Sequence, residues 1–216
     1  MRCRQSGFGL LEVMLALAIG LMVVVAAGQL LVSAHQSWRL QGAALRLQDD
    51  ARLALLRMAQ DIRMAGMFGC LRLEPADFQD PAARQVFNQP VEVGPASLGL
   101  VVAEPSGHAG LPDWTILTDC IEKVSVHSKR PENPLKLMAI PVSHHRYLLD
   151  GSTLKLKRHN RNPQPMVDHV REWRIERVES SEGQRIDMQL TLYEPTLMLE
   201  QRHELSVALR NPVPMP

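Results

Sequence analysis

Hydrophobic positions along the chain change their period twice, and each change marks a different kind of element. Residues 13–38 hold no Asp, Glu, Lys or Arg and are mostly Leu, Val, Met, Ala and Ile. As a helix this stretch is about 39 Å long, against roughly 30 Å for the hydrocarbon core of a bilayer. It is long enough to cross a membrane. Arg2 and Arg4 precede it without an acidic residue, so the positive-inside rule keeps the N-terminus in the cytoplasm and sends the rest of the chain across. From Leu40 the continuous run gives way to a stripe at Leu40, Ala44, Leu47, Ala51, Ala54, Met58, Ile62 and Ala65. Spacings of three and four put these on one face of a helix, with Gln41, Gln48, Asp49, Arg52, Arg57, Gln60 and Arg63 on the others. The first stop signals are Gly66 and Gly69. Together the two patterns predict about 55 residues, roughly 85 Å, of near-continuous helix.

After Cys70 the period shortens to two and the apolar runs become brief. Residues 91–93, 97–103, 114–117, 135–142, 147–149, 154–157, 170–178, 186–192 and 205–209 read as strands, with Asp150-Gly151 as a hairpin turn. The alternation predicts a mostly antiparallel sheet with one polar face. Residues 73–90 and 108–112 read as loops. Proline usage agrees with this division: all 15 prolines lie at or after Pro75, and Pro is excluded from helix interiors. The fold class is α+β, a long helix followed by a β-rich head. A hydrophobic content of 45% argues against a disordered chain, and 24 basic against 23 acidic residues argue against a general polyanion binder.

One residue does not suit a plain membrane anchor. Glu12 stands among Phe8, Leu10, Leu11, Val13 and Leu15, where a carboxylate costs about 2.5–3.5 kcal/mol unless it reaches the headgroups or has a partner. The surrounding string, Arg2-Cys3-Arg4-Gln5-Ser6-Gly7-Phe8-Gly9-Leu10-Leu11-Glu12-Val13, resembles the class III signal of type IV prepilins and type II secretion pseudopilins. That resemblance implies cleavage by prepilin peptidase between Gly7 and Phe8, N-methylation of Phe8, and retention of the apolar helix in the mature chain. It also implies that Glu12, fifth after the cut, pairs with the N-terminal ammonium of a neighbouring subunit and sets filament register. An ordinary secretory signal cleaved after Ala26 and Ala27 is the competing reading; Glu12 inside the apolar region speaks against it.

The helix end, Asp61-Ile62-Arg63-Met64-Ala65-Gly66-Met67-Phe68-Gly69-Cys70, is similar to that of minor type IV pilins of the PilW type. Membership there implies the type IV pilin fold, with a leader over 1–7, a transmembrane or filament-core helix over 8–38, an amphipathic continuation over 39–69 and a periplasmic head over 70–216. It implies other minor pilins and the major pilin as partners, and residence in the bacterial inner membrane before incorporation into a pilus or its tip. The expected role is pilus assembly or initiation, supporting motility, adhesion or DNA uptake. A minor pseudopilin of a type II secretion system is the alternative within the class, and a signal-anchored periplasmic binding protein the alternative outside it.

Loss of the leader removes Cys3 and leaves Cys70 and Cys120, an even pair that suggests a disulfide in an oxidising compartment, with two buried thiols as the alternative. It also takes 24 basic residues to 22, against 23 acidic. His108, His127, His159, His169 and His203 are scattered, and the adjacent His144 and His145 would point to opposite faces of a strand. No metal site, cofactor or catalytic motif emerges, and a non-enzymatic protein is expected. Lys155, Lys157, Arg158 and Arg161 form a basic run. A charged strand edge that discourages aggregation is one account of it; weak contact with DNA phosphates is the other.

Overall fold

The computed structural model describes residues 9–104, 110–129, 131–158, 161–181 and 183–211. Leu, Ala, Met, Gln and Arg dominate the region before Gly66, and with no proline in it one helix, α1, runs over Leu10–Met64 for 55 residues. The chain divides into two compact units, Met1–Arg46 and Leu47–Pro216. In the first unit the helix leaves its apolar side chains uncovered, from Leu10 through Leu17 and Leu30 to Trp38.

In the second unit the buried face of α1 comprises Leu47, Ala51, Ala54, Leu55, Met58, Ala59, Asp61 and Ile62. Among the described residues ten strands follow: β1 Val91–Gly94, β2 Ser97–Ala103, β3 Trp114–Thr118, β4 Val124–Ser128, β5 Met138–Asp150, β6 Thr153–Arg158, β7 Gln164–Val167, β8 Val170–Ser180, β9 Gly183–Glu194 and β10 Leu199–Ala208. They form two antiparallel sheets. In the seven-stranded sheet β5 is the organising strand: β2 lies along one edge, while the other edge carries β3 over its first half and β6 over its second. The other sheet is the meander β8, β9, β10. The fold is thus α+β with a mostly antiparallel head, consistent with the type IV pilin fold.

One hydrophobic core joins α1 to both sheets. Met58, Ala59 and Ile62 pack with Leu98, Leu100 and Tyr147 of the larger sheet and with Trp173, Leu190 and Leu192 of the meander. A second core fills the opposite face of the larger sheet. There Phe87 and Val86 meet Val101, Ile116, Val126 and Val142, and the Phe87 ring stands 4.4 Å from Phe68 and 5.4 Å from both Phe78 and Trp114.

Phe87 belongs to a second helix, α2, over Pro81–Asn88, which follows a single 3-10 turn at Pro75–Asp77. This corrects the reading of residues 73–90 as a loop. The prolines there are not breakers: Pro81 sits in the first turn, where its missing N–H costs nothing, and Asp80 Oδ1 caps the helix by accepting from the Ala82 N–H at 2.9 Å. Because α2 covers the far face, β2 is buried along both faces. The single polar face expected of the sheet is found instead on the meander. Strands β4 and β7 arise where no strand was expected, and residues 138–150, read as two strands with a gap at the histidines, are one.

The helix ends where three constraints meet. Gly66 adopts φ +75°, and its N–H reaches Val101 O at 3.3 Å. Asn211 donates its side-chain N–H to Ala65 O at 2.9 Å across 146 residues. Gly69, at φ +112°, sits where a Cβ would lie 2.7 Å from Ile140 Cδ1.

Cys70 and Cys120 are disulfide-bonded with a Cα–Cα distance of 5.4 Å and a sequence separation of 50. Closing a loop of that length stabilises by about 4 kcal/mol in the chain-entropy account. Replacing both cysteines by Ser is expected to lower unfolding stability by that order, and Met58→Ala, which empties a fully buried site, by about 2–5 kcal/mol. Guanidinium unfolding of the bilayer-embedded chain, followed by tryptophan fluorescence, checks both; unchanged midpoints would refute them.

Candidate functional site

Two features stand out, one in each unit. In the first, Glu12 lies exposed in the opening turn of α1, with Gly9 O accepting from the Glu12 and Val13 N–H groups at 3.0 and 3.3 Å. A carboxylate there interacts favourably with the positive end of the helix dipole. The helix has an 18-residue window of mean hydropathy 2.6 with none of it buried, so by length and composition it is able to cross a membrane. Helical surface this apolar is unstable in water and needs lipid or other chains against it. Gly7 and Phe8, the expected cleavage and methylation positions, lie outside the described residues, as do Arg2, Cys3 and Arg4.

The second feature is a buried polar cluster in the head. Asp61 projects from the otherwise apolar face of α1 and is 3% exposed. Its Oδ2 accepts from the Tyr147 hydroxyl at 2.7 Å and lies 2.7 Å from His145 Nδ1, while Arg57, one turn earlier, approaches Oδ1 at 3.3 Å. The other His145 nitrogen, Nε2, lies 2.8 Å from Glu104 Oε1 just beyond β2. His145 and Tyr147 alternate along β5, so both face α1 and both are 0% exposed.

Both imidazole nitrogens therefore face carboxylate oxygens. A neutral imidazole carries a single N–H and would leave one carboxylate against a lone pair; an imidazolium donates to both. Burial opposes the charge, but the hydrogen bonds that the ring donates to Asp61 and Glu104 and the negative charges of those carboxylates outweigh it, and the His145 pKa is raised above its ordinary value. The Tyr147 hydroxyl is also driven up, by burial first and then by the Asp61 charge.

His144 turns to the opposite face, against Gly99 and near Glu92, with its backbone N–H on Asp113 at 2.8 Å. Burial first, then the Arg146 charge, holds its pKa down. His127 pairs with Ser125 at 2.9 Å and His169 with Glu194 at 3.6 Å, while His108 and His159 lie outside the described residues. Among the described residues no group of three His, Cys, Asp or Glu is arranged to hold a metal ion.

The disulfide ties the segment after α1 to the loop after β3, and Asp119 shapes that loop. Its Oδ1 accepts from the N–H groups of Ile121, Glu122 and Lys123 at 2.8–3.0 Å. Those bonds, with Ile121 and Lys123 foremost, hold the exposed carboxylate below its usual pKa.

The basic run does not form one surface. On β6 Leu154 and Leu156 are buried, Lys155 and Lys157 lie on the other face, and Lys155 is paired with Asp150 at 2.6 Å. Arg158 shares the parity of the leucines and points to the side of the polar cluster, and Arg161 lies beyond the strand.

Sequence reasoning missed the cluster by treating Arg57 as outer-face polarity and by weighing His145 only with its neighbour His144, as a pair pointing to opposite faces of a strand. A signal was present: Asp61 interrupts the buried side of the helix between Met58 and Ile62, and a His-x-Tyr pair on one strand face offers it two donors.

Residues 2–28 match the family model described as the prokaryotic N-terminal methylation motif. No curated protein and no solved structure matches the chain. The motif, joined to an apolar N-terminal helix and an antiparallel head, supports a type IV pilin-like protein, anchored in a membrane and assembling into a pilus or a secretion apparatus.

A raised folded-state pKa means that the stability contributed by His145 is complete below its unfolded value, about 6.5, and declines as pH climbs through the folded value. Head stability is therefore expected to fall on going from pH 6.5 into the alkaline range. His203 and His144, both depressed by burial, act on the acid side of that window. Denaturant midpoints across pH 6–9 test this: His145→Gln should lower stability and remove the alkaline slope, and a slope that survives the substitution would sink the assignment.

Proposed function

We propose that this chain is a minor type IV pilin of the PilW type, processed by prepilin peptidase between Gly7 and Phe8, N-methylated at Phe8, and built into a pilus or its tip with other minor pilins and the major pilin. The observation that carries this reading is the methylation motif over residues 2–28 at the head of a helix whose apolar surface has no cover of its own. Such a helix suits a chain that waits in a bilayer and then exchanges lipid for the helices of neighbouring subunits. Glu12 then has a physical role. Cleavage exposes an ammonium at Phe8, and in a helix bundle of low dielectric an unpaired carboxylate is strongly unfavourable, so each subunit settles where its Glu12 meets a neighbour's N-terminus.

The domain plan follows: a leader over 1–7, a membrane and filament-core helix over 8–38, an amphipathic continuation over 39–69, and a head over 70–216 on the periplasmic side. The Cys70–Cys120 bond supports that orientation, because disulfides persist in oxidising compartments.

Mass spectrometry of the chain purified from a host with prepilin peptidase is expected to give a mature N-terminus at N-methyl-Phe8. A start near Gly28, or an uncut Met1, overturns the reading. Glu12→Ala is expected to be cleaved normally yet be missing from sheared filaments. Deleting the gene separates the two members of the class: loss of pili supports the pilin, and loss of protein secretion with pili intact supports the pseudopilin.

A further inference from the structure

A cleft of about 500 Å³ opens beside the buried polar cluster, between the end of α1, β2, β5 and β6. Its apolar walls come from Met64, Met67 and Ile140, and two arginines line it, Arg57 and Arg158. Arg158 stands where the buried alternation of Leu154 and Leu156 calls for a third apolar residue, and in the β5–β6 ladder it is paired with His145. Its Nε is buried with no acceptor, and so is the Nε of Arg57. Within the cluster Asp61 meets both Arg57 and His145, and Glu104 meets the other nitrogen of His145. Arg158 therefore brings to the cleft a cation whose buried Nε donor has no acceptor, a costly arrangement.

A carboxylate presents two acceptor oxygens that match the guanidinium fork. The methionine-rich walls are adaptable and suit an apolar body attached to the charged group. We propose that this cleft is a binding site for one carboxylate carried on an apolar body, with Arg158 as its ionic partner. A free small carboxylic acid and the carboxyl terminus of a neighbouring chain share that chemistry.

The test uses the full chain in deuterated-lipid nanodiscs and saturation-transfer NMR with three probes: N-acetyl-leucine, N-acetyl-leucinamide, and an acetylated tetrapeptide ending in Leu with a free carboxyl terminus. At least one of the two acids is expected to bind, with N-acetyl-leucinamide weaker by about tenfold or more, the loss of one charge-assisted pair. Arg158→Gln should weaken the acid by a similar factor while leaving the thermal midpoint in place, and Arg161→Gln should change nothing. Binding of the free amino acid derivative alone marks a small-molecule ligand, and binding of the tetrapeptide marks a chain terminus. Equal binding of acid and amide, no binding of either acid at about 10 mM, or an unaltered affinity in Arg158→Gln overturns the proposal. Should Arg158→Gln not fold, the comparison of acid with amide on the unaltered chain still decides it. The proposal does not rest on the pilin reading, and either can fail without the other.

Discussion

The face of α1 from Leu47 to Ile62 is the wall on which the head is built. Leu98 and Leu100 of the larger sheet, and Leu190 and Leu192 of the meander, are all buried in a core that contains Ala51, Ala54, Met58, Ala59 and Ile62. Burying each large side chain stabilises by roughly 1.5–3 kcal/mol, so without the helix both sheets would expose that surface to water. Alanine at three of these positions lets strands approach closely, and Met58 and Ile62 fill the gaps between them. The same helix carries, at its other end, side chains that water does not tolerate. One element therefore meets two solvents, and neither of its halves is optional.

The polar cluster gives that wall a register. Apolar packing alone tolerates small rotations and slips of a helix on a sheet, because Leu, Ala and Met surfaces are interchangeable to a first approximation. Asp61 is not interchangeable: a slip of one turn would bring Arg57 or Ala65 to His145, set a cation or a methyl group against its Nδ1, and take the acceptor from the Tyr147 hydroxyl. Two donors from β5 and one from α1 hold the carboxylate. Breaking such a set is costly because what remains is a buried charge without a partner.

Much of the architecture was legible because its determinants are local. The uncharged run and the three-and-four stripe need only their neighbours to be read as helix, and Asp150-Gly151 dictates a hairpin wherever it falls between strands. The stripe was still too narrow, since Leu55 and Ala59 are buried as well, and no helical period reveals that a helix face is covered by two sheets. Helix α2 escaped for the reverse reason: eight residues carry too little periodicity, and Pro81 counts as a breaker until it is seen to occupy the first turn. The cluster is the least legible part. Asp61 and His145 are 84 residues apart, and nothing in either neighbourhood announces the other. Glu12 lies at the opposite extreme, because its oddity, a carboxylate in an apolar run, is visible without any fold.

The contact between Asn211 and the carbonyl of Ala65 places a delay in the life of the molecule. A ribosome adds about 5–20 residues each second, so the helix end is complete for roughly 7–30 s before the residue that closes it exists. During that interval the Ala65 carbonyl, one residue past α1, is without this donor. Completion of the head is thus timed by translation as well as by packing: the helix end is among the first parts synthesised and among the last to be sealed.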